Sequence, residues 1–406
     1  MRSLTDPSLA PPTWRAIDAI MKQGLASVFP AGVLLIQQHG QTRFHQSYGW
    51  IEPEEKRWPV RLDTLFDLAS LTKLFTATAL LTLVNAGKIG LDTPVSQVIP
   101  EFRGVHPLRS GIDPHTKRVL PPDPRWKGKA TRLEHITFRH LLTHTSGLAA
   151  WDDMCISVNQ TGVIYPHQVD AATRQRRLNV LLYTPRVVTP PGTQCLYSDL
   201  GFILLGEALE RLTAEPLQKY LLRHVLTPLG MTHVTFNPLA HGVPRETIAP
   251  TERCPWRQRR LWGEVHDENA ACLGGVAGHA GLFGTASDVA KLGECYRTGG
   301  GGLLSPALAQ EAISEQVATS GVRRGLGWQL MTNDGSPVGR GFGPDSFGHT
   351  GFTGVSLWVD PARALTVVLL TNRVYHGRAP EPIAQFRLRL HQAILQAVDT
   401  QLEPVP

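Results

Sequence analysis

Ser70-Leu71-Thr72-Lys73-Leu74-Phe75-Thr76-Ala77-Thr78-Ala79-Leu80-Leu81-Thr82-Leu83-Val84-Asn85-Ala86-Gly87 is the stretch on which the fold turns. Leu74, Ala77, Leu80, Leu81 and Val84 fall at helical spacing and Gly87 stops the run, so a helix is predicted from Leu71 to Ala86. Ser70 and Lys73 stand at its start, just under one turn apart, so Ser70 Oγ and Lys73 Nζ share a face and can hydrogen-bond. Serine is a poor nucleophile until a neighbouring base takes its proton. Lysine can be that base where burial or a nearby cation lowers its pKa. The helix N-terminus adds backbone N–H groups and a positive dipole end, which favour a developing oxyanion. The S-x-x-K spacing alone is weak evidence, because serine and lysine are common.

Outward from this helix the chain is ordered in a telling way. Thr13 to Ser27 reads as an amphipathic helix. Ala31 to Gln37 and Thr42 to Trp50 read as two strands joined by a turn at His39-Gly40-Gln41. Near the other end, Val355 to Val359 and Leu365 to Thr371 form a second hairpin about Asp360-Pro361, and Pro382 to Val398 a terminal amphipathic helix. Between them the chain is mainly helical, with helices at Ile136 to His144, Leu200 to Leu212 and Leu217 to Val225. A Pro- and Gly-rich loop runs from Gly104 to Arg132. Strands at both ends and helices between imply an α+β fold: one antiparallel sheet flanked by helices, interrupted by a helical domain. The expected division is a discontinuous sheet domain, 13–70 and 250–400, and a mainly helical domain, 71–249.

Two further stretches carry chemistry. Pro191-Gly192-Thr193-Gln194-Cys195-Leu196-Tyr197-Ser198-Asp199 forms a turn before a helix, where a tyrosine either points its phenol into a cleft or packs under the loop. Gly348-His349-Thr350-Gly351 opens the last hairpin. Other chemistries lack their motifs: there is no G-x-S-x-G elbow, no Walker A loop, no HExxH and no strand-linked GxGxxG. His140 and His144, with His135 nearby, are read as structural histidines; no metal is expected.

In this order, the three elements resemble the serine β-lactamase and penicillin-binding-protein superfamily, and most closely its class C β-lactamase, DD-carboxypeptidase and family VIII esterase branch. Leu141-Leu142-Thr143-His144-Thr145-Ser146-Gly147-Leu148, Pro228-Leu229-Gly230-Met231 and Gly275-Val276-Ala277-Gly278-His279-Ala280-Gly281-Leu282 support the resemblance, which runs from about Val28 to about Arg373. It implies a β-lactamase/transpeptidase-like fold with the active site between sheet and helices. It implies Ser70 as nucleophile, Lys73 and Tyr197 sharing the proton transfers, and an oxyanion hole from the backbone N–H groups of Ser70 and Phe352. Asp199, His349, Thr350 and Gly351 would contact substrate. No cofactor is implied.

Two positions depart from the family's pattern. Its third motif is usually Lys-Thr-Gly; here His349 replaces the lysine and is mostly neutral at pH 7. Its second motif usually ends in asparagine; here Asp199, which as a carboxylate only accepts hydrogen bonds, either holds Lys73 by charge or repels an anionic substrate. Both departures lower the expectation of efficient β-lactam hydrolysis. The expected function is therefore a serine hydrolase, foremost a carboxylesterase-type enzyme, with a D-amino-acid peptidase or weak β-lactamase as the alternative. A slow-acylating binding protein without turnover is the alternative of another class. The Gly104 to Arg132 loop, which follows the catalytic helix, is a candidate rim for the cleft or a peripheral insertion.

The bulk properties bound the rest. The 406 residues are 42% hydrophobic and only 18% charged, enough for a large core and inconsistent with disorder. The net charge of +6 is read as a solvated basic surface, because the basic clusters lack the aromatic interleaving of nucleic-acid binders. The expected partner is thus a small ester, amide or short peptide, not nucleic acid. The five cysteines are odd in number and widely spaced, so free thiols are expected. With no apolar run of membrane length and no clean signal peptide, a cytoplasmic location is expected.

Overall fold

The computed structural model describes residues 12–155, 165–319, 321–332 and 336–400. Its centre is a nine-stranded antiparallel sheet. The strands are β1 (Ala31–Gln38), β2 (Gln41–Glu52), β3 (Arg57–Pro59), β4 (Val317–Thr319), β5 (Val322–Arg324), β6 (Gln329–Leu330), β7 (Phe347–Thr350), β8 (Ser356–Asp360) and β9 (Leu365–Thr371). Their order is β4-β5-β6-β7-β8-β9-β1-β2-β3. The two predicted hairpins, distant in sequence, meet at the middle of the sheet, where β1 pairs with β9 from Gly32 opposite Thr371 to Gln38 opposite Leu365.

Successive side chains on β1 point to opposite faces. Leu34 and Ile36 join Trp14, Ile17, Phe386 and Leu390 under α1 (Pro12–Ser27) and the terminal helix, Glu381–Thr400. Val33 and Leu35 join the larger core on the other side. Both faces are buried, which explains the near-continuous apolar run from Ala31 to Ile36.

The predicted serine-lysine helix is α2, Thr72–Asn85, preceded by a single 3-10 turn, Ala69–Leu71. It is buried nearly all round, including Thr72, Thr76 and Thr78. Their hydroxyls find partners: Thr76 donates to the Gly278 carbonyl at 2.8 Å, and Thr78 bonds the Tyr296 hydroxyl at 2.9 Å. Satisfied hydroxyls can enter a core that orphaned ones could not.

Elsewhere the sequence boundaries shift. The helix predicted at Ile136 to His144 is the shorter α3, Phe138–Leu142, closed by a capping box between Thr137 and His140. That at Leu200 to Leu212 is α4, Asp199–Thr213, and that at Leu217 to Val225 passes into a π-helical turn, Leu222–Leu226. The Gly104 to Arg132 loop is pinned at its base by a two-stranded pair, Val105–Pro107 with Ala130–Arg132.

One expectation is overturned. Cys155 and Cys272 are joined in a disulfide, with their Cα atoms 5.9 Å apart. The expectation of free thiols rested on sequence spacing, but the two segments are brought together by Asn269, which bonds Met154 N–H and the Asp152 carbonyl. Cys195, Cys254 and Cys295 are free. Disulfides persist in oxidising compartments, so the thiols no longer support a cytoplasmic location. Among the described residues no helix is long and apolar enough to cross a membrane.

Candidate active site

Ser70 sits where the turn Ala69–Leu71 feeds α2, and Lys73 follows one turn later. Lys73 is fully buried, and its three N–H donors have three acceptors: Ser70 Oγ at 3.0 Å, Asp199 Oδ1 at 2.7 Å and the His279 carbonyl at 3.0 Å. Burial pushes the Lys73 pKa down, but the Asp199 carboxylate and the Tyr197 phenol outweigh it and hold it above the ordinary lysine range. Lys73 is thus an ammonium that donates toward Ser70. Asp199 is ion-paired with Lys73, one of the two arrangements open to it on sequence, and it also lines the cleft.

Tyr197 reaches the site from the turn before α4. Ser198 caps that helix, accepting from Gly201 N–H and donating to the Ala149 carbonyl. The Lys73 ammonium lies 4.9 Å from the Tyr197 ring centre. Burial raises the phenol pKa, Lys73 and Ser70 oppose that rise, and the net value stays above the ordinary one. The ring packs against His144, 4.4 Å between centroids. His144 is buried, its Nδ1 accepts from Ser198 N–H, and burial with nearby cations keeps it neutral. Its ring backs that of Tyr197.

The carbonyl that holds Lys73 belongs to the glycine-rich stretch Gly275 to Leu282. A Cβ at Gly278 would collide with the Phe202 carbonyl oxygen of α4, so only glycine lets this segment pass between α4 and α2. His279 Nε2 donates to Asp267 Oδ1 at 2.7 Å. Asp267 also caps α5 (Glu268–Cys272) through Ala270 N–H. Burial pushes its carboxyl up, and the His279 ring and that N–H more than reverse the push. Sequence reasoning passed over this pair, because its two members meet only through the turn between them.

His349, on β7, is buried beside Tyr197, 5.8 Å between centroids. Its Nδ1 lies 2.7 Å from the Thr350 carbonyl. A carbonyl only accepts, so Nδ1 carries the proton and Nε2 presents a lone pair. Burial, with the charges of Arg324 and Lys73, pushes its pKa down to about 3. The third motif therefore supplies no cation. Thr350, Gly351 and Phe352 line the same cleft as Ser70.

The cleft has two parts that meet at Ser70, Tyr197, His115 and Phe352. The larger, of about 560 Å³, includes Arg324, Arg373 and Arg387, and among the described residues none that lines it is acidic. Arg324 is buried, its guanidinium carbon is 5.6 Å from the Tyr197 ring centre, and its Nε and Nη1 make no hydrogen bond among the described residues. Sequence reasoning missed Arg324; its place at the site depends on the register of β5 against β6. The smaller recess, of about 170 Å³, contains Asp199, Asp267, Glu268, Trp151 and Arg378. His115 and Lys117, from the Gly104 to Arg132 loop, reach both parts or the smaller one, which places the loop at the rim and not at the periphery.

The chain matches a family model described as Beta-lactamase over residues 17–391. It is 31% identical over 391 residues, 90% of this chain and 83% of the relative, to a protein of Escherichia coli (strain K12) provisionally named a D-alanyl-D-alanine carboxypeptidase. Its fold matches EstCE1, a hydrolase with promiscuous acyltransferase activity, with a TM-score of 0.68, 23% identity and coverage of 93% of this chain and 98% of that one. It also matches simvastatin synthase (LovD) from Aspergillus terreus, with a TM-score of 0.69, 20% identity and coverage of 96% and 100%. These likenesses show the α+β fold expected from the motifs.

Proposed function

This chain belongs to the Beta-lactamase family, whose members are serine hydrolases, and from that premise we propose that it cleaves an ester or amide bond through an acyl-enzyme on Ser70. The observation that carries this reading is the cluster of Ser70 Oγ, the Lys73 ammonium and the Tyr197 phenol at the junction of the two parts of the cleft. Ser70 Oγ attacks the substrate carbonyl carbon. Lys73, with all three N–H groups engaged, steadies the developing oxyanion of the serine and does not take its proton. That proton passes to the Tyr197 oxygen while the Tyr197 proton passes to the leaving group. The Ser70 and Phe352 N–H groups hold the carbonyl oxygen. Water then enters and attacks the acyl carbon, giving one proton to the Tyr197 oxygen while the Tyr197 proton returns to Ser70 Oγ, and the acid is released. The expected separation into a sheet unit, 13–70 and 250–400, and a helical unit, 71–249, is proposed on the same basis, with the cleft along their seam.

Between substrates, the arginine wall favours a carboxylate-bearing amide, as a D-amino-acid peptidase would take, over a neutral ester. Asp199 no longer argues against an anion, because its charge is matched by Lys73. The test compares wild type and Ser70→Ala on p-nitrophenyl butyrate and on a diacyl-L-Lys-D-Ala-D-Ala tripeptide. Sustained turnover of either, lost in the variant, supports the acyl-enzyme. Release of D-alanine at the higher kcat/KM supports the peptidase reading, and preference for the ester restores the esterase. A burst without turnover would favour the slow-acylating binder.

A further inference from the structure

The residue before the nucleophile is in an unusual conformation. Ala69 has a φ of 45°, in the left-handed region that residues with a Cβ avoid. Such strain persists only where the surroundings over-determine it. Here the determinant is Asp67, a fully buried carboxylate that the proton-transfer scheme does not use. Its Oδ1 accepts from Ala69 N–H at 2.8 Å and its Oδ2 from His266 N–H at 2.6 Å. Its own carbonyl accepts from the Thr353 hydroxyl at 2.8 Å. A Cβ at Gly351 would stand 2.9 Å from the Leu68 carbonyl oxygen and 3.2 Å from Ala69 Cβ, so the third motif presses on the same turn.

Three segments that furnish the site therefore converge on this one side chain and its backbone: the turn bearing Ser70, the segment of His266 and Asp267 that leads to His279, and the turn bearing Phe352. An ordinary turn-forming aspartate needs only one oxygen and is usually exposed. This one is buried and uses both oxygens, one of them on a segment about 200 residues away in sequence. We infer that Asp67 is a positioning residue for the nucleophile: by holding Ala69 left-handed against the His266 segment, it aims Ser70 Oγ at Lys73 and Tyr197. The inference rests on the reading of Ser70 as nucleophile.

The idea makes a particular prediction about a pair of substitutions. If Asp67 works by enforcing a left-handed Ala69, the need for it falls where glycine, which adopts that conformation freely, replaces the alanine. The probe is a fluorophosphonate, which needs only a reactive serine, with the labelled residue identified by mass spectrometry. Rates are taken per folded molecule, with folding followed by circular dichroism. Asp67→Ala should slow labelling of Ser70 by about 10²-fold, the cost of a misplaced reacting group. The same substitution in the Ala69→Gly background should cost less than about tenfold. If Asp67→Ala does not fold, Asp67→Asn, which keeps one acceptor and the side-chain volume, is compared in the two backgrounds instead. An equal cost in both backgrounds would overturn the inference, as would an unchanged rate in the Ala69 background. Labelling of wild type elsewhere than Ser70 would remove the functional reading itself, and the inference with it.

Discussion

The two parts of the cleft use charge in opposite ways. In the smaller recess every carboxylate has a partner: Asp199 has the Lys73 ammonium, Asp267 a hydrogen bond from the His279 ring, and Glu268 has Arg378 at 2.8 Å and Lys117 at 3.6 Å. In the larger part, Arg324 keeps two nitrogens, Nε and Nη1, and Arg387 keeps its Nε without a partner among the described residues, and no described lining residue is acidic. Buried charge that is matched holds machinery in place. Buried charge that is unmatched is costly unless a ligand completes it. On the proposed acyl-enzyme reading, the recess is expected to set the rate and the arginine wall to select substrate.

The most severe way to break this contrast is at Asp199. Asp199→Ala leaves a buried ammonium without its carboxylate, so Lys73 loses its charge or its place. The expected cost is on the order of 10²–10³ in kcat, the range for a lost donor to a developing oxyanion, and the same for anionic and neutral substrates. Asp199→Asn retains an oxygen acceptor for Lys73 and should lose far less. A loss that depended on substrate charge would mean that Asp199 faces substrate after all.

At Arg324 the expected pattern is the reverse. Arg324→Ala should lower kcat/KM for a substrate with a free carboxylate by about 10–100-fold, as for a lost hydrogen bond between charged groups, and leave p-nitrophenyl butyrate within a few-fold. His349→Lys in that background should return part of the preference by restoring a cation at the third motif. Equal losses on both substrates would place Arg324 under Tyr197 as a support.

How much of this was open to sequence reasoning follows from distance along the chain. Ser70 and Lys73 are legible because one helical turn fixes their separation. The two hairpins are legible by alternation, but their joining at β1 and β9 is not, since nothing local links Gly32 to Thr371. Tyr197 is legible only through resemblance, because a loop residue has no periodicity to aim it. Arg324, the Asp267–His279 pair and the Cys155–Cys272 bridge are tertiary facts. His349 is legible as a departure from the third motif, but the depth of its pKa shift comes from burial beside Arg324 and Lys73, which composition does not show.

The arginine wall also leaves a mark on stability. Burial first, then the charges around them, pushes His349 and His391 down to about 3, and His144 well below the ordinary value. His391 lies one turn beyond Arg387 on the terminal helix, away from the reacting groups. In the unfolded chain these rings titrate near 6.5. Their folded pKa values are lowered, so below pH 6.5 the unfolded state binds more protons. Their contribution is intact above that pH and is lost as pH falls toward 3. Each ring adds a slope of about 1.4 kcal/mol per pH unit, a tenfold change in the folding equilibrium. Denaturant titrations at pH 7 and pH 5 should show His391→Phe with a drop smaller than wild type by roughly twice that slope less the partial protonation near pH 6.5. An identical drop would mean that His391 is charged in the folded protein.

The smallest effect concerns the rim. The loop tip is shaped by Asp113, whose carboxylate accepts from His115 and Thr116 N–H groups, and it is fastened by Lys117. The Lys117 ammonium lies 3.6 Å from the Trp151 ring centre and 3.6 Å from Glu268. The side chains of that ion pair are partly exposed, so it contributes little beyond the cation–π contact, and the fastening is worth about 1 kcal/mol. That is enough to favour the closed rim by about fivefold and too little to lock it. Closed, the loop sets His115 against Phe352, 5.4 Å between centroids, over the junction where Ser70 lies. Lys117→Ala should therefore raise the rate on p-nitrophenyl octanoate relative to p-nitrophenyl acetate by up to about fivefold, with little change on the acetate. High salt should shift wild type part of the way, because it weakens the ion pair. A chain-length profile that neither change moves would show that the acyl chain runs along the arginine wall, and the division of labour between the two sides would have to be redrawn.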